Sequence, residues 1–105
     1  MADDLLFRAI ADPSRRAILE RLFREGELTV GTLTEGAGIS QPAVSKHLGL
    51  LKGAGLVQDR QDGRKTHYRA RREALAPLRD WTNEMSSYWE ARFDDLEDLL
   101  KRTDI

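Results

Sequence analysis

The chain has 105 residues, of which 40% are hydrophobic and 33% are charged, and its formal net charge is -1. This length and apolar content allow one modest core, so we predict a single domain over residues 1–105. The absence of cysteine excludes disulfides, thiolate metal ligands and thiol redox chemistry. No apolar run approaches the roughly 18 residues of a membrane span, and the acidic first residues do not resemble a secretory signal, so we expect a cytoplasmic protein.

The small net charge conceals a separation of charge along the chain. Residues 1–39 carry five Lys/Arg against seven Asp/Glu, residues 40–72 carry eight against two, and residues 73–105 carry four against nine. A basic segment of this kind is typical of a surface that contacts phosphates, although a solvated face is the usual origin of a charge run. The middle segment is therefore the candidate site for nucleic acid.

The first part of the chain has the pattern of two helices. The first contains the apolar Leu5 and Leu6 and ends before Asp12. Asp12 is a good N-cap for the second helix, and Pro13 is well tolerated in its first turn. Apolar residues recur along the second helix at helical spacing, and the pattern stops at Gly26.

A helix-turn-helix arrangement is predicted next. Residues 28–30 form a brief extended segment, and Thr29 is positioned to cap a third helix over roughly residues 30–37. A glycine turn leads to Ser40, the predicted N-cap of a fourth helix over residues 41–54. Two helices joined by a short turn, the second with a polar face, are typical of a DNA-binding helix-turn-helix.

One face of the fourth helix is suited to close approach. Val44, Leu48 and Leu51 point inward together on a helical wheel, which leaves small and polar side chains outside. Gln41 and Lys46 are our candidates for base readout, because an amide can bond adenine bidentately and an ammonium can reach guanine or phosphate. The residues of this helix predicted to contact DNA are Ser40, Gln41, Pro42, Ala43, Ser45, Lys46 and His47.

Some of these side chains have a second interpretation. For Gln41 and Lys46 the alternative is an ordinary exposed helix surface. A half-buried, hydrogen-bonded His47 that positions the helix is at least as consistent with its place beside the apolar stripe as direct DNA contact. A metal ligand is the weakest of the three interpretations of His47.

The segment 56–70 is predicted to form a β-hairpin, or wing, with a basic tip. Two strand-like runs flank an Asp-Gly turn signal. Strand alternation predicts that His67 and Arg69 face away from the helices. The wing residues predicted to be available for phosphates or a minor groove are Arg60, Arg64 and Lys65.

Residues 75–102 have the pattern of one long amphipathic helix. At about 1.5 Å per residue it would extend about 40 Å, which is longer than the core of so small a domain can cover. We therefore predict a symmetric homodimer that pairs this helix, together with part of the first, across a twofold axis. A core helix packed only within its own chain is the alternative. The predicted dimer-interface residues are Leu5, Leu6, Leu78, Trp81, Met85, Tyr88, Trp89, Leu96 and Leu99.

The aromatic residues of this helix allow two interpretations. A hydrophobic dimer interface is the first. A pocket for an apolar small-molecule effector between the paired helices is the second.

Four stretches of the sequence occur in an order that carries a family resemblance. They are Ala-Asp-Pro-Ser-Arg-Arg-Ala-Ile-Leu at 11–19, Gln-Pro-Ala-Val-Ser-Lys-His-Leu at 41–48, Ala-Gly-Leu-Val at 54–57, and Asp-Gly-Arg-Lys at 62–65 followed by Tyr68. Together they resemble the ArsR/SmtB family of bacterial transcriptional repressors over roughly residues 5–100. The resemblance implies a mainly α, winged helix-turn-helix dimer that binds a palindromic operator in double-stranded DNA and whose affinity is often lowered by an inducer.

The resemblance is to the cysteine-free branch of the family. Relatives that sense soft metals commonly carry two cysteines in the stretch corresponding to residues 27–33, where this chain has Thr29 and Gly31. A second family site uses histidine on the last helix, and this chain has no histidine after His67. We predict no metal site, no cofactor and no catalytic residue.

The function predicted from the sequence is sequence-specific DNA binding by a homodimeric repressor of its own operon, associated with the nucleoid. The alternative is a winged-helix module that docks another polypeptide and binds DNA only incidentally. The basic middle segment disfavours that alternative, because a protein-docking surface has less need of excess cations. An enzyme is remote, since the sequence has neither a close histidine–carboxylate constellation nor a glycine-rich phosphate loop.

Overall fold

The computed structural model describes residues 2–103, and the side chains of residues 4–103. The described chain is mainly α-helical with a small β-sheet, which confirms the predicted fold class. The elements in chain order are α1 (Ala2–Ala11), α2 (Pro13–Glu25), β1 (Leu28–Thr29), α3 (Val30–Thr34), α4 (Gln41–Gly53), β2 (Val57–Asp62), β3 (Lys65–Ala70), a 3-10 turn (Arg72–Leu75) and α5 (Ala76–Thr103). The chain divides into two compact units, one ending at Leu75 and the other beginning at Ala76.

Side-chain caps fix where three of the helices begin. Asp12 caps α2, Thr29 caps α3 and Ser40 caps α4. Each accepts a hydrogen bond from the backbone N–H three residues later, at 2.9, 3.1 and 3.3 Å respectively. These bonds satisfy amides that have no partner within the helix, so the three predicted caps are confirmed.

Helix α3 ends at Thr34, three residues before the predicted end. Gly36 has a φ of +80°, which lies in the left-handed region and cannot continue a helix. The guanidinium of Arg21 donates to the carbonyl oxygens of Thr32 and Glu35 at 3.0 and 2.8 Å. These carbonyl oxygens therefore have a hydrogen-bond donor even though the helix does not continue.

The core of the first unit is built from apolar side chains of all four of its helices and of the segment entering β2. The predicted inward stripe of α4, Val44, Leu48 and Leu51, has no exposed surface. Leu6, predicted at an interface with a second chain, lies instead in this core with 3% exposure, because α1 packs against α2. Its neighbour Leu5 is 48% exposed and remains at the surface. The buried residues are Leu6, Ala9, Ile18, Leu19, Leu22, Leu33, Val44, Leu48, Leu51, Leu56 and Val57.

The predicted wing gains a third strand. The antiparallel sheet has the order β1-β3-β2, so that β3 is central. His67 on β3 is the register partner of Thr29 on β1 and of Arg60 on β2. Gly63, with a φ of +62°, turns the chain between β2 and β3. The pairing with β1 brings the chain before α3 next to the wing.

The second unit is the single helix α5, which extends about 42 Å at about 1.5 Å per residue. Its apolar side chains are largely exposed: Trp81, Met85, Tyr88, Trp89, Phe93, Leu96, Leu99 and Leu100 have exposures between 39% and 61%. The rings of Trp89 and Phe93 meet edge to face with centroids 5.2 Å apart. Leu78 is half-buried. Among the described residues, no helix is both long and apolar enough to cross a membrane.

Candidate nucleic-acid interface

The first turns of α4 present the predicted contact residues. Gln41, Pro42, Ser45 and Lys46 are exposed, as is the cap Ser40. Ala43 and His47 are half-buried at the border with the core stripe. The outer face of α4 therefore offers an amide, two hydroxyls and an ammonium beside two small side chains.

An open, polar groove joins this face to the tip of the wing. It is lined by Gln41 and Ser45 of α4 together with Arg64, Lys65 and Thr66 of the wing. Residues from β1 and α3 complete the groove, among them Thr32 and the exposed Glu35. The fold thus brings together side chains of α4 and the wing that are about twenty residues apart in sequence.

The basic side chains of residues 40–71 fall into two groups. In the first group, each side chain donates a hydrogen bond to an acceptor within the chain. The bonds are Lys52–Asp59, Arg60–Glu27, Arg69–Gln58 and Arg71–Glu73. Lys46, Arg64 and Lys65 have no side-chain hydrogen bond or ion pair with any described residue. Arg64 and Lys65 of this free group line the groove, and Lys46 follows Ser45 on α4. Among these seven side chains, the positive charge without a partner therefore lies at α4 and the wing tip. Arg72 in the 3-10 turn is a further exposed cation without a described partner.

Arg60, predicted to be available for phosphates or a minor groove, is bound to acidic side chains of its own chain. Its Nε and Nη2 both donate to Oε1 of Glu27, at 2.9 and 2.6 Å, and Nη1 lies 3.8 Å from a carboxylate oxygen of Asp62. The hydrogen bond to Arg60 is the main cause of the lowered pKa of Glu27, and the same bond raises the pKa of Arg60. The pairing of β1 with the central strand β3 explains this difference from the prediction, because it brings the side chain of Glu27 within reach of Arg60 on β2.

Known proteins resemble this chain in sequence. A helix-turn-helix domain model matches residues 10–60. The HTH-type transcriptional regulator Rv2034 of Mycobacterium tuberculosis is 43% identical over 90 residues, which cover 81% of this chain and 83% of that protein. The transcriptional repressor SdpR of Bacillus subtilis is 37% identical over 76 residues, which cover 72% of this chain and 83% of SdpR.

Solved structures resemble it in fold. A crystal structure of an ArsR family transcriptional regulator matches with a TM-score of 0.77 and 31% identity, covering 85% of this chain and 91% of that one. An ArsR-like regulator from Rhodococcus sp. RHA1 matches with a TM-score of 0.73 and 27% identity, covering 91% and 90%. The chain belongs to the ArsR/SmtB family. It is a DNA-binding transcriptional regulator, and not an enzyme.

In this ArsR/SmtB protein, Thr29 has a structural role at the position where the resemblance placed a thiolate in metal-sensing relatives. Its Oγ1 accepts from the backbone N–H of Thr32 at 3.1 Å and donates to Oγ1 of Thr32 at 3.0 Å. Both bonds stabilise the start of α3. In the described part of the chain, no group of three or more His, Cys, Asp or Glu side chains could hold a metal ion.

His47 lies in a network that supports its positioning role. Nε of Arg15 donates to Nδ1 of His47 at 3.4 Å, and Nη1 of Arg15 donates to the carbonyl oxygen of Arg8 at 3.2 Å. Since Nδ1 accepts, the proton of the neutral imidazole is on Nε2. The backbone hydrogen bond from Arg15 is the main reason that the pKa of Asp12 is lowered. Arg15 therefore connects α1 and α2 to the middle of α4.

Two features of the site were not foreseen from the sequence. His67, predicted to face away from the helices, is half-buried, and its Nδ1 lies 3.7 Å from Oε1 of Glu27. Arg21 holds the end of α3 to α2 and also forms an ion pair with Glu25 at 2.7 Å. The spacing of Arg21 and Glu25 is visible in the sequence. The bonds of Arg21 to the carbonyl oxygens of Thr32 and Glu35 join residues 11 and 14 positions apart and form only in the folded chain.

Proposed function

We propose that this protein is a homodimeric repressor of its own operon that binds a palindromic operator in double-stranded DNA. The observation that carries the proposal is the placement of the free cations. Lys46, Arg64 and Lys65 lack partners among the described residues, and they lie beside the polar face of a capped, exposed helix. A surface of that kind attracts phosphate and at the same time presents side chains that can read base edges.

The proposed contacts divide between readout and positioning. Gln41 and Lys46 read base edges from α4 in the major groove. Ser40, Ser45, Arg64 and Lys65 bind phosphate, and these contacts fix the register of the protein on the duplex without selecting sequence. Pro42 and Ala43 allow the helix to approach the groove closely. His47 holds the helix in place through Arg15.

The exposed apolar face of α5 supports the homodimer. Trp81, Met85, Tyr88, Trp89, Leu96 and Leu99 expose between 39% and 61% of their surface in the single chain, and Leu5 on α1 exposes 48%. We propose that a second copy of the chain covers this apolar face. A symmetric pair would present two copies of α4 to two half-sites about 34 Å apart. An unidentified small-molecule effector between the paired helices is the proposed signal, and cytoplasm, at the nucleoid, is the proposed location.

Mobility shifts with the promoter of the protein's own operon test the proposal. The double variant Gln41→Ala with Lys46→Ala should lose preference for the promoter over a random duplex of equal length, by about tenfold or more, because each base contact contributes about 1–3 kcal/mol of discrimination. Arg102→Ala, which removes an exposed cation at the end of α5, is the matched control and should retain the preference. Equal affinity of the wild-type protein for both duplexes, or no effect of the double variant, would contradict the proposal.

A further inference from the structure

The outer side of the wing, which carries Lys52, Arg60 and Arg69, also holds the carboxylate of Glu27. Glu27 precedes β1, and the pairing of β1 with β3 places it next to Arg60 and His67. Its Oε1 accepts from Nη2 and Nε of Arg60 at 2.6 and 2.9 Å and lies 3.7 Å from Nδ1 of His67. Charge-assisted bonds of this length are stronger than hydrogen bonds between neutral groups.

The other cations of this outer side are also held by acceptors. Nζ of Lys52 lies 3.1 Å from the carboxylate of Asp59. Nε and Nη2 of Arg69 donate to Oε1 of Gln58, at 3.0 and 2.6 Å. All of these residues line one shallow concavity together with Glu27 and Arg60. The outer side of the wing is thus internally paired, whereas Arg64 and Lys65 in the groove are not.

We propose that Glu27 limits the affinity of this protein for DNA by neutralising Arg60. The inference rests on the proposed DNA-binding function and adds a regulating residue to it. A phosphate that approached Arg60 would have to displace a carboxylate at 2.6 Å and would meet its negative charge. Glu27 therefore restricts phosphate contact to α4 and the wing tip, and it removes a contact that would strengthen binding to every DNA sequence alike.

The Glu27–Arg60 pair is suited to this role because its removal costs little stability. The side chains of Glu27 and Arg60 are 30% and 54% exposed, and exposed ion pairs contribute little to the free energy of unfolding. The main consequence of the pair is that the positive charge of Arg60 is neutralised and does not attract a DNA phosphate. Its effect should therefore appear in DNA affinity and in the dependence of that affinity on salt.

The test compares Glu27→Gln, Arg60→Gln and the double variant on the promoter fragment and on a random duplex of equal length across a KCl series. Glu27→Gln should bind both duplexes about tenfold more tightly at low salt, and the slope of log K against log salt should steepen by about two units per dimer. Arg60→Gln alone should match the wild-type affinity and slope, and the double variant should return to them. Glu20→Gln, an exposed α2 carboxylate without a described partner, controls for the change in net charge.

Three outcomes would overturn the inference. Weaker binding and a flatter slope in Arg60→Gln would show that Arg60 already contacts phosphate in the wild-type protein. Equal behaviour of Glu27→Gln and Glu20→Gln would show that Glu27 exerts no specific restraint. Weaker binding by Glu27→Gln with a lowered melting temperature would make Glu27 a structural support of the wing. Wild-type protein that binds neither duplex would overturn the proposed function as well, whereas the first three outcomes leave that function intact.

Discussion

At the start of α2, α3 and α4, one side-chain oxygen accepts a hydrogen bond from the backbone. The cap of α2 is a carboxylate, and those of α3 and α4 are hydroxyls. Asp12 differs from Thr29 and Ser40 because its charge also interacts favourably with the amide end of the helix and with Arg15. Its contribution to stability should therefore depend on pH.

Asp12→Asn tests this dependence, since asparagine caps helices well but carries no charge. The pKa of Asp12 in the folded protein lies below the ordinary value of 3.8, chiefly because the backbone N–H of Arg15 donates to it. The carboxylate therefore adds stability that is fully present above the unfolded-state pKa and is lost as pH falls through the folded-state pKa. In urea unfolding, we expect the variant to have a lower midpoint than wild type at neutral pH, and the difference to shrink below about pH 4.

Asp94→Asn is the matched control for Asp12→Asn. Asp94 is exposed on α5 and has no described hydrogen bond or ion pair. Its replacement should change the midpoint little at either pH. If the effect of Asp12→Asn were equally large in acid, the charge of Asp12 would not be its cause.

At the scale of elements, α5 combines an apolar face with one charged residue inside that face. Arg92 lies three residues after Trp89 and four before Leu96, so it shares their side of the helix. Arg92 is exposed and has no described partner. If two copies of this face pack together, an unpaired guanidinium must lose water, and such desolvation opposes association.

Self-association should therefore respond in opposite directions to two substitutions on this face. Trp89→Ala should raise the dissociation constant of the dimer about thirtyfold, as expected for a large aromatic side chain at the centre of an interface. Arg92→Leu should lower it about tenfold, because the desolvation of the cation is removed. Sedimentation equilibrium measures both.

Asn83→Ala is the control for these variants, since Asn83 lies on the opposite side of α5. It should leave the dissociation constant unchanged. A weaker dimer in Arg92→Leu would contradict the prediction and would indicate that Arg92 pairs with an acidic group of the second chain. A monomeric wild-type protein at micromolar concentration would contradict the homodimer itself.

For the whole molecule, pairing within the chain decides how much of the basic segment can act on DNA. Eight Lys/Arg lie in residues 40–72, but only Lys46, Arg64, Lys65 and the exposed Arg72 of the 3-10 turn lack a described partner. The charge that a phosphate meets is thus smaller than the count along the sequence suggests. Because counterion release scales with the number of phosphates neutralised, salt dependence reports the difference.

On a random duplex, where Lys46 has no specific base to read, a proposed dimer in which Lys46, Arg64 and Lys65 of each chain contact phosphate should give a slope of log K against log salt of about -5. The slope would be about -14 if all eight cations of residues 40–72 in each chain contacted phosphate. Fluorescence anisotropy with a labelled random duplex over a KCl series distinguishes the two values. Lys65→Ala should flatten the slope by about two units per dimer, whereas Lys52→Ala, which removes a paired cation, should not.

The parts of the fold that depend on local chemistry could be predicted from the sequence. The capping of α4 by Ser40 and the burial of Leu48 follow from side-chain type and helical period, and both were confirmed. Contacts between distant segments could not be predicted in the same way. Neither Arg60 nor Glu27 carries a local signal for the other, since they are 33 residues apart and meet only when β1 pairs with β3.

By itself, the sequence determined the helix-turn-helix, the wing and the amphipathic character of the last helix, because caps, glycine turns and hydrophobic period act over a few residues. Only the tertiary structure decided which side chains remain free. It buried Leu6 in the core, bound Arg60 to Glu27 and held His47 through Arg15. The physical reason is that hydrogen bonds and ion pairs form between groups that are close in space. Patterns that act over a few residues do not reveal which distant groups meet.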